Sequence, residues 1–302
     1  MGKVACVNHE PLPNYLKGDA IMFPETLRLE IGIYVDQFVK WLMHNFGGFF
    51  EAVSAGVLWF ILKMETFMLW LPWWAILLFI FLISWRVKEL KSAVIYTALI
   101  TLIGMFGLWD SMIQTVAIVL SSVVISLVLG IPTGILMAYD KRFNEIMRLL
   151  LDGMQTMPSF VYLIPAMMLF GMGKVPAVFA TIIYAIPPIV RLTDLGIRNV
   201  PKEMVEAAHS FGSSNWQTLT KVQLPQALPT IMTGINQTTM MALAMVVVAS
   251  MIGAKGLGYD VLQAIMRIDI AKGFEAGISI VFLAIIIDRL SQSVGERFKF
   301  PE

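Results

Sequence analysis

The sequence has 302 residues, of which 58% are hydrophobic and 14% charged, and its formal net charge is +1 at pH 7. Soluble domains carry about 25% charged residues, so this apolar excess has to face lipid, and a soluble globular fold is excluded. The near-neutral charge, without a basic run, gives no indication of a nucleic-acid partner. We therefore expect an all-α polytopic membrane protein surrounded by membrane lipid.

Residues 1–70 are predicted to form an N-terminal region, in which a polar tail precedes amphipathic and interfacial scaffold helices. The tail has no apolar run after its basic start, so a secretory signal is not predicted. In residues 30–46, apolar residues such as Phe38 recur at helical spacing, while Asp36 and Lys40 take the opposite face. This pattern is typical of a helix that lies on the membrane or on the rest of the protein.

Residues 48–68 are ambiguous, because Glu51, Lys63 and Glu65 interrupt an otherwise apolar stretch. We interpret this stretch as interfacial, and an additional membrane span is the alternative. The N-terminus lies outside the cell if the stretch does not cross the membrane, and inside if it does.

Residues 71–302 are predicted to form the transmembrane domain. The chain as a whole is expected to have about seven spanning helices, within a range of six to eight. A helix needs about 20 mostly apolar residues to cross about 30 Å of hydrocarbon. Segments that meet this requirement, or come close to it, are 71–86, 92–109, 112–139, 152–172, 176–196, 235–254 and 275–292.

The distribution of basic residues predicts the orientation of these spans. With residues 197–234 on the cytoplasmic side, most loop Lys and Arg residues fall inside. The outer loops after the first span then contain only Lys174, Lys255, Arg267 and Lys272. This bias agrees with the positive-inside rule, and the opposite orientation would invert it.

One loop, residues 199–229, is much longer than the 2–8 residues that usually connect packed helices. Pro201 and Glu203 suit the first turn of a short helix, one by its fixed φ and the other by its charge. Gly212 can end that helix in a left-handed conformation. The loop therefore has the length and the local signals of a docking surface rather than a simple connector.

A second short helix is predicted in the same loop. Ser214 and Gln217 have the spacing of a capping box, which satisfies free amide groups at a helix start. Pro225 and Pro229 are expected to stop this helix before the next span. The sequence thus predicts a compact helix–turn–helix at the cytoplasmic face of the membrane.

The same loop reads Glu-Ala-Ala, three residues, Gly, nine residues, an aliphatic residue, one more residue, and Leu-Pro. The positions are Glu206, Ala207, Ala208, Gly212, Val222, Leu224 and Pro225. This pattern resembles the signature of permease subunits of ABC importers, with Val222 where isoleucine is commoner. The resemblance implies a type I ABC importer permease fold. It also implies that residues 199–229 form a cytoplasmic coupling loop seated in a groove of an ATPase subunit.

Three further stretches, 151–173, 185–196 and 234–258, resemble the glycine betaine/proline betaine permeases, and the resemblance extends over roughly residues 70–295. It implies an ATP-driven importer of a quaternary ammonium compatible solute in the bacterial cytoplasmic membrane, which works by alternating access. The implied partners are two copies of a cytoplasmic ATP-binding subunit, a separate extracytoplasmic substrate-binding protein and a second copy of this chain.

We expect no catalytic residue, metal site or bound cofactor in this chain. The sequence has no P-loop Gly-Lys-Ser/Thr, so ATP and Mg are expected on the partner ATPase, and the chain is not predicted to be an enzyme. Its three histidines, His9, His44 and His209, fit no metal-ligand spacing.

Polar, aromatic and proline residues within two predicted spans are candidates for lining a translocation pathway. They are Gln155, Thr156, Pro158, Ser159, Phe160, Tyr162, Asn236 and Gln237. Polar residues inside a membrane usually face a cavity or another helix, so hydrogen bonding between helices is the alternative interpretation.

The alternative function is an ion-coupled secondary transporter or a channel. Such a protein would need carboxylates within the membrane to couple an ion gradient. Asp194 and Asp288 lie at predicted cytoplasmic ends beside Arg191 and Arg289, so we interpret them as interfacial ion pairs.

Overall fold

A computed structural model of the chain describes residues 31–296, where all regular secondary structure is helical. The helices are α1 (Ile31–Trp70), α2 (Trp73–Val87), α3 (Leu90–Met105), α4 (Trp109–Tyr139), α5 (Lys141–Thr156), α6 (Leu163–Phe170), α7 (Lys174–Arg198), α8 (Lys202–Ser210), α9 (Asn215–Thr218), α10 (Leu224–Ala249), α11 (Leu257–Arg267) and α12 (Ile270–Glu296). Two 3₁₀ segments, Ser159–Tyr162 and Ser250–Ile252, and one π-helical segment, Leu219–Gln223, complete the order. The predicted all-α fold is confirmed, and the predicted polar tail lies outside the described residues.

Within residues 31–296, five helices are long and apolar enough to cross a membrane, judged by length and composition. They are Gly32–Trp70, Trp109–Tyr139, Lys174–Arg198, Asn215–Ile252 and Ile270–Gly295. Three shorter apolar helices are Trp73–Val87, Leu90–Met105 and Ser159–Phe170. Each of the seven spans predicted from residue 71 onward overlaps one of these helices, four of the long ones and all three of the shorter ones.

The predicted span 152–172 is not one continuous helix in the structure. Helix α5 ends at Thr156, and Met157 adopts an extended conformation with φ −68° and ψ 138°. The cause is Pro158, since a proline ring disfavours the helical conformation of the residue before it. A 3₁₀ turn and the short helix α6 then continue to Phe170.

The core of the transmembrane domain is formed by α4, α7 and α10, which make the most extensive contacts in the described chain. Close packing depends on glycines that face the neighbouring helix. A Cβ atom on Gly130 would lie 2.5 Å from Cγ2 of Ile189, and one on Gly134 would lie 2.6 Å from the carbonyl oxygen of Val190. Small residues spaced four apart allow helix backbones to approach in membranes, and this pair places α4 directly against α7.

Helix α1 is interrupted at Phe46, whose φ of −119° and ψ of 16° are not helical. The described part of the chain divides at this point into two units, residues 31–45 and residues 46–296. In the first unit, Lys40 Nζ lies 2.6 Å from Asp36 Oδ2, so the predicted helix and its charged face are confirmed. The predicted domain boundary near residue 70 stays a prediction.

In the second unit, the rest of α1 contacts the turn between α6 and α7. The ring of Phe50 lies edge-on to Phe170, with 5.8 Å between the ring centroids. Near the other end of the helix, Glu65 forms an ion pair with Lys174, and both side chains are largely buried. Residues 46–70 therefore belong to the packed transmembrane unit, whether they cross the membrane or lie at its surface.

Candidate functional site

The first helix of the coupling loop, α8, begins as predicted. Pro201 is its N-cap residue, and Glu203 lies in its first turn, where a carboxylate interacts favourably with the partial positive charge of the helix start. None of the nine residues of α8 is buried within this chain. A helix without a buried face gains little from its own chain, so this exposure indicates a surface that a partner covers.

Helix α8 ends in a Schellman motif centred on Gly212, which has a φ of +80°. The amide of Gly212 donates to the His209 carbonyl at 2.9 Å, and the amide of Ser213 donates to the Ala208 carbonyl at 3.1 Å. These bonds satisfy carbonyl groups that the helix end leaves free, and the left-handed conformation is accessible to glycine at little cost. The prediction that Gly212 ends this helix in a left-handed conformation is confirmed.

The second helix, α9, starts with the predicted capping box. The Ser214 hydroxyl accepts from the Gln217 amide at 3.3 Å, and the Gln217 side chain accepts from the Ser214 amide at 2.9 Å. The hydroxyl groups of Ser213 and Thr218 are 2.8 Å apart, which links the end of α8 to α9. The helix–turn–helix is thus held by short-range hydrogen bonds.

The prediction that Pro225 and Pro229 stop the second helix is wrong. Residues 219–223 form a π-helical turn, in which the amide of Leu224 donates to the Leu219 carbonyl, and α10 follows without a break. Pro225 lies in the first turn of α10, where a missing amide is tolerated. The wide turn changes the acceptor pattern, so the proline ring does not meet the carbonyl that it would meet in an α-helix.

The signature residues divide into an exposed half and an anchored half. Glu206, Ala207 and Gly212 are exposed and Ala208 is half-buried, whereas Val222, Leu224 and Pro225 are all half-buried. Leu224 packs against the core cluster that also contains Leu219. The first half is therefore available to a partner, and the second half fixes the loop to the transmembrane helices.

Two large apolar side chains next to the exposed half increase this surface. Phe211 is 93% exposed and Trp216 is 71% exposed, although both lie in a loop rich in polar residues. An exposed aromatic pair on a short, rigid helix–turn–helix is typical of an interaction surface.

A polar network lies where α7 enters the loop, and sequence reasoning missed it. Asp194 is buried, and its carboxylate accepts from Arg198 Nε at 2.5 Å and from Asn144 Nδ2 at 3.0 Å. Arg148 lies 3.8 Å away from the same carboxylate. The predicted pairing of Asp194 with Arg191 is wrong, because the Asp194 carboxylate is held by Arg198 of its own helix and by Asn144 and Arg148 of α5.

Arg191 pairs instead with Asp152 on α5, at 2.5 Å. Two ion pairs thus join α5 to α7, Arg148 with Asp194 and Asp152 with Arg191. The i, i+4 spacing of Asp194 and Arg198 was the signal in the sequence, but the contribution of α5 depends on the tertiary fold.

The family of binding-protein-dependent transport system inner membrane components matches residues 130–300, which include this loop and its supporting helices. The chain belongs to this family. It is therefore an inner-membrane permease subunit of an ABC importer and not an enzyme, and its family implies two kinds of partner, an ATP-binding subunit and a substrate-binding protein.

The permease has close relatives along most of its length. The glycine betaine transport system permease protein OpuAB of Bacillus subtilis is 42% identical over 88% of this chain and 95% of its own length. The glycine betaine/proline betaine transport system permease protein ProW of Escherichia coli is 44% identical over 90% of this chain and 77% of its own length.

The permease also resembles a solved structure, the inward-facing MetNI methionine ABC transporter. The TM-score is 0.58 at 19% identity, and the match covers 62% of this chain and 94% of that chain. At this identity the likeness shows the fold alone, and it confirms the predicted ABC importer permease fold.

The first group of candidate pathway residues lies at the break between α5 and α6. Gln155, Thr156 and Pro158 are exposed, Ser159 is half-buried, and the Phe160 side chain is 59% exposed. Tyr162 differs from them, because it is buried and its hydroxyl donates to the Met154 carbonyl at 2.7 Å. Its hydroxyl thus stabilises the break rather than facing an open space.

The second group lies on α10 and separates into two environments. Asn236 donates to Asp288 Oδ1 on α12 at 3.0 Å, and it lines a cavity of 280 Å³ together with Gln292. Gln237, one position further, is exposed. Asp288 also accepts from Gln292 at 2.6 Å, whereas Arg289 is 4.0 Å away. The main partners of Asp288 are therefore the two amides and not the predicted arginine.

At the opposite, predicted extracytoplasmic end, a cavity of 480 Å³ lies between residues 106–108, α11 and the start of α12. Its lining carries both signs of charge, including Asp260, Arg267 and Lys272. Oδ2 of Asp260 is buried there and has no hydrogen-bond partner within the described part of the chain.

Proposed function

We propose that this permease imports a quaternary ammonium compatible solute such as glycine betaine or proline betaine. The observation that carries the proposal is the similarity, along most of this chain and at more than two-fifths identity, to permeases named for these solutes. Relatives that share this much sequence share their fold and the positions of their buried residues. A solute of the same class is therefore the simplest assignment.

In the proposed mechanism, the coupling loop transfers the movement of an ATP-binding subunit to the membrane helices. Glu206, Ala207 and Gly212 form the exposed surface that enters a groove of that subunit, and Phe211 and Trp216 extend it. The sequence contains no P-loop Gly-Lys-Ser/Thr, so we place ATP and Mg on the partner in this mechanism. ATP binding closes the two ATP-binding subunits and draws the loops together, which opens the pathway outward.

We propose a homodimer with one ATP-binding subunit on each copy and the pathway between the two copies. Support comes from α5 and the segment after it, where polar and apolar side chains are exposed side by side. Leu149, Phe160 and Ile164 are 76%, 59% and 57% exposed, next to Gln155 and Thr156. A lipid-facing surface would be uniformly apolar, so this mixed surface suits a pathway lined by two copies better.

On the outer side, we propose that the charged cavity beside α11 belongs to the docking face for a separate substrate-binding protein. Its mixed charges, which include Asp260, Arg267 and Lys272, suit an electrostatically complementary and reversible contact. A permanent interface would instead be mainly apolar.

The alternative of an ion-coupled transporter is not favoured. Both carboxylates considered for it are already engaged, Asp194 by Arg198 and Asn144, and Asp288 by Asn236 and Gln292. A carboxylate that binds and releases a coupling ion needs lone pairs that no other group occupies. The carboxylates of Asp194 and Asp288 have few such lone pairs.

The experiment is uptake of radiolabelled glycine betaine into proteoliposomes that contain the permease, its ATP-binding subunit and its binding protein. We expect uptake that requires internal ATP and is competed by proline betaine. If loaded binding protein stimulates ATP hydrolysis but no betaine is taken up, the solute assignment is wrong while the importer assignment stands. Uptake that persists without the ATP-binding subunit and collapses with a protonophore would support the ion-coupled alternative.

A further inference from the structure

The end of α4 contacts both segments that connect the coupling loop to the membrane helices, the end of α7 and the π-helical turn before α10. On the outgoing side, an Nη atom of Arg198 donates to the Met137 carbonyl. On the returning side, the Tyr139 hydroxyl donates to Oε1 of Gln223, in the π-helical turn. Met137 and Tyr139 are separated by a single residue, so both ends of the loop are fixed to the same turn of α4.

The acceptor on the outgoing side is a helix-end carbonyl. Helix α4 ends at Tyr139, and the carbonyls of a last turn have no partner within the helix. The Met137 carbonyl receives two side-chain donors, Arg198 and Asn144, the latter at 3.2 Å. Both donors also bind the buried carboxylate of Asp194, which therefore fixes their orientation.

The guanidinium of Arg198 uses different nitrogens for its two acceptors. Nε binds Asp194 Oδ1 at 2.5 Å, and an Nη atom binds the Met137 carbonyl. The planar, rigid fork of arginine suits this double contact, whereas lysine carries all its donors on one atom. The site therefore requires two donor nitrogens in a fixed arrangement, as well as a positive charge.

From these contacts we propose that the end of α4 is a loop clasp, formed by Met137, Tyr139, Asp194, Arg198 and Gln223, which makes the coupling loop and α4 move as one body. Tyr139 and Asp194 are its positioning residues, because each acts through the group it holds. The proposal rests on the proposed coupling function of residues 199–229. It adds that movement of the loop reaches α4 directly, and not only α7 and α10, which continue into the loop covalently.

The test uses the whole importer in proteoliposomes and the substitution Tyr139→Phe, which removes one hydroxyl group and keeps the ring. Two quantities are measured: solute taken up per ATP hydrolysed, and hydrogen exchange of the amides in residues 219–224. We expect uptake per ATP to fall and exchange to rise, each about fivefold, the factor expected for the loss of one hydrogen bond. Gln223→Leu should give the same result without adding to it, and Gln223→Glu, which keeps the acceptor oxygen, should retain the wild-type values.

The matched control is Tyr184→Phe, because the Tyr184 hydroxyl on α7 forms no hydrogen bond within residues 31–296. It should leave both quantities unchanged. On the outgoing side, Arg198→Lys should lower uptake per ATP, whereas Arg142→Lys, at an exposed position of α5, should not.

The proposal is overturned if Tyr139→Phe leaves either quantity at its wild-type value. Unchanged hydrogen exchange would mean that the Tyr139 hydroxyl does not stabilise the π-helical turn. Unchanged uptake per ATP would mean that this contact does not transmit movement to α4. If the wild-type complex takes up no betaine, the solute assignment fails. The exchange measurement and the stimulation of ATP hydrolysis then still decide whether the clasp exists.

Discussion

Lys174, the first residue of α7, forms an ion pair with Glu65 of α1, and their side chains are only 18% and 11% exposed. The pair joins α1 to the turn that connects α6 and α7. Burying two charges costs desolvation free energy, which their mutual attraction offsets. The contact therefore stabilises the position of α1 only while both charged side chains are present.

The first prediction concerns this pair. Lys174→Met leaves the Glu65 carboxylate buried without its partner, and breaking a buried pair costs about 3–5 kcal/mol. Glu65→Leu combined with Lys174→Met removes both charges and should recover most of that loss. Thermal unfolding of the detergent-solubilised chain measures both variants. A double variant that is less stable than Lys174→Met would contradict this explanation.

The second prediction concerns Gly212, whose φ of +80° is unfavourable for residues with a Cβ atom. A Cβ atom at this position would meet no atom within 4 Å, so the cost of Gly212→Val is purely conformational, about 1–2 kcal/mol. We expect this variant to lower the affinity for the ATP-binding subunit, measured by co-purification at graded concentrations. Asparagine tolerates the left-handed region better, so Gly212→Asn should be milder.

Gly153→Ala is the control for this series, because a Cβ atom on this helical glycine also meets nothing within 4 Å. It should bind the ATP-binding subunit as the wild-type chain does. Equal effects of Gly212→Val and Gly212→Asn would show that backbone strain at this position is unimportant.

The third prediction concerns the charge of the exposed surface. Glu206→Lys reverses a charge on α8 that no other described residue pairs with, so the fold should be unaffected. If Glu206 makes a charge-assisted contact in the partner's groove, worth about 1.5–3 kcal/mol, stimulation of ATP hydrolysis should fall at least about tenfold. Glu145→Lys, an exposed position of α5, is the control. Equal stimulation by both variants would argue against docking through this face.

The coupling loop could be predicted in detail because its structure depends on neighbours in sequence. The turn at Gly212 and the capping box of Ser214 and Gln217 use hydrogen bonds that span only three to five residues. The rule for Pro225 failed because it assumes α-helical geometry, and a π-helical turn precedes this proline.

The supports of the loop could not be predicted in the same way. The acceptor of Arg198 on α4 lies 61 residues away in sequence, and the donor to Gln223 lies 84 residues away. The sequence shows that residue 194 is an aspartate, but not which helix its side chain faces. The break at Pro158 is not visible in the hydropathy, because a run of apolar residues on both sides has the same hydropathy whether or not the helix is continuous.

The last prediction concerns the packing of α4 against α7. A Cβ atom on Gly134 would lie 2.6 Å from the Val190 carbonyl oxygen and 2.6 Å from Cβ of Thr193, and backbone atoms cannot move aside as a flexible side chain can. Overpacking typically costs about 1–3 kcal/mol, so Gly134→Ala should lower the unfolding temperature. Gly277→Ala, where a Cβ atom would meet nothing within 4 Å, is the matched control and should not. Because α4 carries Met137 and Tyr139 one turn further on, Gly134→Ala should also lower uptake per ATP in complexes that still assemble. A variant that is destabilised but keeps the wild-type ratio would separate the packing of α4 from its proposed part in coupling.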